Sequence, residues 1–368
     1  MTDVEIGIGK TGRRAYGFDD IAIVPSRRTR DPKDVDISWD VDAFHFDLPV
    51  MAAPADSVVS PATAIALAGL GGLGVLHGEG IWTRYADPEP LLEEIAALPA
   101  EATLRRMQEI YSAPVQPDLV AQRIADLKAA GIIVAVACTP SGTPALAATI
   151  LRAEPDLLVI QGTVVSAEHV SRDTDPLNLK EFVRHYEIPV IVGGCSSYQG
   201  ALHLMRTGAA GVLVGAGSAS SGTTRRVIGV GIPMATAIAD ARAARMRHLD
   251  ETGVYVHVVA DGGMTTGGDI AKAIVCGADA VMIGAPLAAA AEAPGRGYHW
   301  GTTTAHATLP RGQRVAVEGQ GTLEEILVGP AREANGRSNL LGGLRRSMAL
   351  CGYETLKDFQ KAEVVALS

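Results

Sequence analysis

The residues best suited to chemistry lie in two glycine-rich turns of the carboxyl-terminal half. Ala260-Asp261-Gly262-Gly263 ends one apolar run, and Ile283-Gly284-Ala285 ends the next. Glycines let backbone N–H groups approach a phosphate closely, and a carboxylate such as Asp261 can accept hydrogen bonds from both hydroxyls of a ribose. These turns therefore predict a site for a nucleoside monophosphate. The alternative is that the glycines only close tight turns.

A third candidate segment runs from Gly215 to Arg225 and consists almost wholly of Gly, Ala, Ser and Thr. Such a composition is typical of a mobile loop rather than of a packing element. Its hydroxyls could contact a phosphate or take a substrate proton. The alternative is a flexible polar loop without a role in binding.

Other motifs do not support a second kind of site. Gly7-Ile-Gly9-Lys-Thr-Gly12 and Gly69-Leu-Gly71-Gly-Leu-Gly74 both fit GxGxxG, but neither lies between a strand and a helix, as dinucleotide binding requires. The histidines show no metal-binding spacing, and the four cysteines are too far apart for a zinc site or a disulfide framework. We therefore predict no metal.

The elements that must position these residues repeat along the chain. Short β-branched runs end in glycine or another small residue and alternate with alanine-rich stretches of helical spacing. Eight such units favour a single-domain α/β fold, a closed (β/α)8 TIM barrel, over an open doubly wound sheet. The predicted strands are Leu48–Pro54, Gly72–His77, Ile132–Cys138, Leu157–Gly162, Pro189–Gly194, Gly211–Gly215, His257–Gly262 and Ala280–Gly284.

Two connections depart from the regular spacing. More than fifty residues separate His77 from Ile132, which predicts an elaborated second connection with helices near Leu91–Leu98 and Ala102–Tyr111. After the eighth strand, Pro294–Asn339 shows no period and predicts a long loop or flap, followed by a closing segment, Leu340–Lys361. We expect one domain over residues 1–368.

Composition restricts the partners of the protein. The chain has 32 basic and 41 acidic residues, a net charge of −9, which argues against a nucleic-acid groove. No window approaches the roughly 18 apolar residues of a membrane span, and the acidic start does not resemble a secretory signal. We expect a cytoplasmic protein with neither a nucleic-acid nor a membrane partner.

Nearly the whole chain resembles the IMP dehydrogenase/GMP reductase family. Residues 259–263 (VADGG), 268–274 (GDIAKAI) and 277–284 (GADAVMIG) are similar to the family's "ADGGI", "GDIAKAL" and "GADAVMLG". Residues 17–25, 34–38, 49–77, 342–348 and 351–352 match further segments of the family in the same order. The second connection is too short for the family's usual CBS pair. The chain is therefore similar to the IMP dehydrogenase-related branch that lacks CBS domains.

The resemblance implies a role for individual residues. The nucleotide-binding residues would be Ser220, Asp261, Gly262, Gly263, Met282 and Gly284. Thr224 corresponds to a threonine of the family's catalytic loop, and Gln161 and Gly194 stand at positions that contact the cofactor. The implied function is NAD-dependent oxidation of IMP to XMP in purine nucleotide biosynthesis by a homotetramer. A monovalent cation is not expected.

Several positions depart from the family pattern. Gly222 stands where the family has its nucleophilic cysteine, which attacks C2 of the purine. Gln161 replaces an aspartate, Gly194 an asparagine, and Ala53 and Ala285 two serines. The alternative function is thus a nucleotide-binding pseudoenzyme or regulator. Relocation of the nucleophile to Cys195 is also conceivable, although a buried structural thiol is the simpler interpretation.

Overall fold

Eight parallel strands close into a barrel in the computed structural model, which describes residues 3–172 and 176–367. Each strand pairs with the next along the chain, and the eighth pairs with the first through Val281↔Val50 and Ile283↔Ala52. The predicted (β/α)8 barrel is thereby confirmed. The strands are β1 Val50–Ala52, β2 Leu73–His77, β3 Ala135–Cys138, β4 Leu157–Gln161, β5 Val190–Cys195, β6 Gly211–Val214, β7 His257–Asp261 and β8 Ala280–Ile283.

The apolar runs of the sequence mark these strands because parallel barrel strands are buried on both faces. Every residue of β2, β5 and β8 is buried. All eight observed strands begin and end within three residues of the predicted bounds. The largest difference is at β3, where the run starting at Ile132 becomes a strand only from Ala135.

Helices surround the barrel and fill the connections. The helices are α1 Pro61–Gly69, α2 Glu89–Ala97, α3 Ala100–Tyr111, α4 Pro117–Ala129, α5 Thr143–Arg152, α6 Leu179–His185, α7 Tyr198–Met205, α8 Thr224–Ile228, α9 Met234–Thr252, α10 Gly267–Cys276, α11 Ala285–Ala288, α12 Leu323–Leu327, α13 Leu340–Leu350 and α14 Leu356–Phe359. The predicted second connection contains α2 and α3 as expected, together with α4. None of the helices in the described part of the chain has both the length and the apolar composition to cross a bilayer.

The segment after β8 contains regular elements, although the sequence predicts a long loop or flap there. Within Pro294–Asn339, Tyr298–His299 pairs in antiparallel fashion with Val315–Ala316, and α12 follows. Two-residue strands are too short to show a period, so the sequence gives no sign of this ribbon. The ribbon matters because it brings residues 299–303 to the barrel mouth.

The amino-terminal end of the barrel is closed by a hairpin, Trp39–Val41 with Phe44–Phe46. Trp39 stacks on Phe46 and meets the edge of His257, the first residue of β7. A second antiparallel pair, Ile21–Ile23 with Val364–Ala366, joins the segment before the barrel to the end of the described chain. The carboxyl ends of the strands remain free for a site.

A buried ion pair fixes α9 to the start of β8. Arg245, 2% exposed, donates from Nη1 to Oδ2 of Asp279 over 2.7 Å. Asp279 also accepts from the Tyr255 hydroxyl at 2.6 Å, the Val258 N–H at 2.8 Å and the Gln360 amide at 3.2 Å. Each carboxylate oxygen therefore receives two donors, which offsets the cost of burying its charge.

Candidate functional site

A cavity of about 320 Å³ opens at the carboxyl ends of the strands. Its walls come from the turns after β1, β4, β6, β7 and β8 and from the ribbon that follows β8. Most of the predicted site residues meet there, whereas Met282 and Gly194 do not line it. The predicted residues in its lining are Gln161, Ser220, Thr224, Asp261, Gly262, Gly263 and Gly284, with Gly222 beside them.

Asp261 is the carboxylate of this cavity. The Gln161 amide donates to its Oδ2 over 2.8 Å. Burial raises the pKa of Asp261 to about 6, against the opposing effect of the Gln161 hydrogen bond. At pH 7 the group is therefore mostly ionised and has acceptor capacity left for a ligand's hydroxyls.

The turn after Asp261 needs its two glycines. Gly262 and Gly263 have φ of 79° and 78°, a conformation that other residues rarely adopt. The Gly262 N–H donates to the Met282 carbonyl over 3.1 Å, and the Met282 sulfur lies 3.5 Å from the Gln161 amide nitrogen. Met282, predicted as a nucleotide contact, is thus placed behind the turn and behind Gln161.

The loop after β6 is less free than its composition predicts. The Thr223 N–H donates to the Arg311 carbonyl over 2.8 Å, and the Gln313 N–H donates to the Ser221 carbonyl over 2.9 Å. Ser221 and Thr224 are buried, and Thr224 begins α8. Residues 311–313 thus pair with part of the loop backbone, which the composition of the loop did not indicate, and its mobility stays a prediction.

Gly222 lies at the cavity wall in the middle of this pairing. Its N–H donates to the Ala219 carbonyl over 3.0 Å, and the residue bridges Gly312. A Cβ added to Gly222 would lie 3.2 Å from the Ala219 carbonyl oxygen and 3.4 Å from the Ala219 Cβ. A small side chain could thus enter after a shift of a few tenths of an ångström. None of the described residues that line the cavity carries a thiol.

Cys195 does not supply the missing thiol. It ends β5, is 3% exposed and lies outside the cavity lining. Burial raises its pKa to about 12, so the side chain is protonated and unreactive at neutral pH. The structure favours the interpretation of Cys195 as a buried structural thiol.

The two residues predicted to hold NAD have their own partners in the protein, and their contact with a cofactor stays a prediction. Gly194 has no room for a side chain, since an added Cβ would lie 2.4 Å from the Gly215 carbonyl oxygen. Its N–H already donates to the Gly162 carbonyl, and its own carbonyl accepts from the Val165 N–H. The Gln161 amide donates a hydrogen bond to Asp261. Position 161 therefore has an amide where the family has a carboxylate, and position 194 has no side chain.

The sequence analysis missed one residue, His299. It is 5% exposed and lines the cavity, and its Nδ1 lies 3.0 Å from the Ser57 Oγ. Burial lowers its pKa to about 4. Among the described lining residues, Asp261 and His299 are the titratable side chains. A single histidine in an aperiodic segment gave no sequence signal for this placement.

Comparisons with known proteins show the family and agree with the fold. The model of the "IMP dehydrogenase / GMP reductase domain" matches residues 15–368. A protein of Mycolicibacterium smegmatis named "uncharacterized oxidoreductase" is 52% identical over 97% of this chain and 98% of its own length. An inosine-5′-monophosphate dehydrogenase of Methanocaldococcus jannaschii is 27% identical over 97% of this chain and 93% of its own.

Among solved structures, an IMP dehydrogenase/GMP reductase-like protein of Corynebacterium glutamicum superimposes with a TM-score of 0.94. It is 47% identical in sequence, and the match covers 99% of this chain and 97% of that chain. The barrel and the loops around the cavity therefore belong to a fold with close, experimentally determined counterparts.

Proposed function

Because this chain belongs to the IMP dehydrogenase/GMP reductase family, we propose that it binds a purine nucleoside 5′-monophosphate in the cavity described above. The observation that supports this most is that Asp261, the positive-φ turn Gly262-Gly263 and Gly284 all line the same cavity. In barrels of this kind the turns after strands seven and eight are the usual phosphate site. Asp261 would hold the ribose hydroxyls, and the glycine turns with Ser220 would hold the phosphate.

Two functions are compatible with such a nucleotide site. The family is typically NAD-dependent, and the relative from M. smegmatis is named an oxidoreductase. Both observations favour a redox reaction on the purine, which in the family is the NAD-dependent oxidation of IMP to XMP. The cavity lining, with Gly222 at the nucleophile position and no thiol among its described residues, favours binding without that reaction. We propose that the protein binds the nucleotide without converting it, and that this binding has a regulatory role in purine nucleotide metabolism. The homotetramer and the cytoplasmic location stay predictions.

Binding should depend strongly on the 5′-phosphate. Because phosphate oxygens accept several charge-assisted hydrogen bonds, each contributing about 1.5–3 kcal/mol, we expect inosine to bind roughly 100-fold or more weakly than IMP. Isothermal titration calorimetry with IMP, GMP, XMP and inosine measures this directly. Absorbance at 340 nm with IMP and NAD, or with GMP and NADPH, should show no turnover.

Two results would contradict the proposal in different ways. Equal affinity for inosine and IMP would place the phosphate outside the site. Sustained production of XMP by the purified protein would show an oxidoreductase that works without a cysteine at Gly222, and the regulatory assignment would be wrong.

The Gly222→Cys variant tests the position of the missing nucleophile. We expect at most a slow or trapped covalent adduct with IMP and no sustained XMP production, because Gln161 and Gly194 remain unchanged. Intact-protein mass spectrometry after incubation with IMP and NAD detects the adduct. Gly301→Cys is the matched control, since it places a thiol elsewhere in the lining, where an added Cβ has only the Ser221 Oγ nearby, at 3.8 Å. Equal adduct formation in both variants would contradict the assignment of position 222.

A further inference from the structure

We propose that His299 binds the nucleotide's phosphate as an imidazolium, so that nucleotide binding takes up a proton from solution. The inference rests on the proposed nucleotide site and names the group that its phosphate meets. Nothing in the sequence of the barrel strands indicates such a partner, because His299 reaches the cavity from the ribbon after β8.

The imidazole lies beside the turn expected to hold the phosphate. A Cβ placed on Gly284 would be 3.1 Å from His299 Cε1, 3.2 Å from Nε2 and 3.5 Å from the Ala53 Cβ. The ring edge thus fills the space between the ends of the neighbouring strands β8 and β1. Ala53, Gly284 and Ala285 also line the cavity here and offer no side-chain donor. His299 is therefore positioned to supply one.

Hydrogen bonds on the other side of the ring determine which nitrogen carries the proton. The Ser57 hydroxyl accepts from the Trp300 N–H at 3.1 Å and donates to the Trp300 carbonyl at 3.0 Å. Trp300 is 1% exposed, so its carbonyl would lose a partner that water cannot replace if the hydroxyl turned away. With its only hydrogen used, Ser57 must accept from Nδ1–H of His299.

This tautomer leaves the Nε2 lone pair of His299 directed at the cavity. Nε2 has no hydrogen-bond partner within residues 3–172 and 176–367. An anionic phosphate would be repelled by that lone pair, whereas a proton on Nε2 turns the same contact into a charge-assisted hydrogen bond. A phosphate at Gly284 and a proton on His299 therefore stabilise each other.

Among the described residues, no charged group around His299 stabilises its protonated form in the way that a bound phosphate would. Burial alone lowers the pKa of His299 to about 4, so the free protein holds it neutral. The Asp56 carboxylate next to Ser57 accepts from the Tyr111 hydroxyl and the Ile81 N–H. Arg314 on the ribbon lies over the Tyr298 ring and donates to backbone carbonyls of α2 and its end. Asp261 shares the cavity and binds Gln161.

Calorimetry of IMP binding in two buffers of different ionisation enthalpy tests the proposal. If the phosphate restores an ordinary histidine pKa of about 6.5, His299 takes up about half a proton at pH 6.5. Asp261 and the phosphate release protons when they accept hydrogen bonds, so the contribution of His299 is the difference in proton uptake between the unaltered protein and His299→Gln. His299→Gln should abolish the uptake and weaken IMP binding about ten-fold. His203→Gln, an exposed histidine on α7, should change neither.

A measurement on the unaltered protein covers the case in which His299→Gln does not fold. The ¹³Cε1 NMR resonances of the histidines should show one neutral imidazole that becomes protonated when IMP is added at pH 6.5, but not when inosine is added. Equal proton uptake by the unaltered protein and by His299→Gln on IMP binding, or an imidazole that stays neutral when IMP binds, would overturn the inference and leave the nucleotide site standing. Absence of binding by every purine monophosphate would instead contradict the proposed function itself.

Discussion

The Asp261→Ala variant is expected to bind IMP roughly 10- to 150-fold more weakly, a loss on the order of 1.5–3 kcal/mol. The carboxylate is the charged acceptor of the cavity, and its removal leaves the ribose hydroxyls without a charged partner. It also leaves the Gln161 amide without its acceptor. Isothermal titration calorimetry at pH 7.5 gives the affinity, and thermal denaturation of the free variant shows whether it folds.

Two comparisons separate this contact from a general effect of charge. Asp250→Ala removes an exposed carboxylate from α9 and should leave IMP affinity unchanged. In His299→Gln, IMP affinity should fall as the pH decreases through about 6, because protonation of Asp261 removes the charge that accepts the hydroxyls. Unchanged affinity in Asp261→Ala would show that the ribose binds elsewhere.

The Asp279→Ala variant is expected to lose about 3–5 kcal/mol of unfolding free energy, the usual cost of breaking a buried ion pair on one side. The Arg245 guanidinium would stay buried without its carboxylate, and the Tyr255 hydroxyl and Val258 N–H would each lose an acceptor. Urea denaturation measures the loss.

The reference for this loss is Asp279→Asn, which keeps an acceptor oxygen but not the charge and should be destabilised less than Asp279→Ala. The Asp250→Ala protein provides the exposed control, for which we expect a change within about 0.5 kcal/mol. If Asp279→Ala unfolded at the same urea concentration as the unaltered protein, the buried network would not hold α9 to β8.

The cavity holds two titratable side chains, Asp261 and His299, whose pKa values burial shifts in opposite directions. Burial raises the pKa of Asp261 and lowers that of His299, so at neutral pH the free protein has a carboxylate and a neutral imidazole. In the proposed complex the carboxylate would accept hydrogen bonds from hydroxyls, and the imidazole would take up a proton when an anion binds. A nucleoside monophosphate presents both features, hydroxyls and a phosphate, at separate ends of one ribose.

The sequence by itself determined the barrel and the turns at its mouth. Buried parallel strands are continuous apolar runs, and each must end in residues that let the chain reverse, so β4 to β8 could be predicted nearly to the residue. The positive φ at Gly262 and Gly263 likewise follows from a short turn after Asp261. These features are local, and local periodicity and composition specify them.

The tertiary structure alone decided which distant side chains share the cavity. His299 lies 242 residues from Ser57, and Arg311 is 87 residues from Thr224, yet each pair is in contact because the ribbon after β8 folds back over the barrel mouth. No period marks that ribbon, since its strands have two residues each and the segment between them is held by hydrogen bonds to the loop after β6. The protonation states follow for the same reason: burial shifts the pKa of a group, and burial is a property of the packed fold rather than of neighbours in sequence.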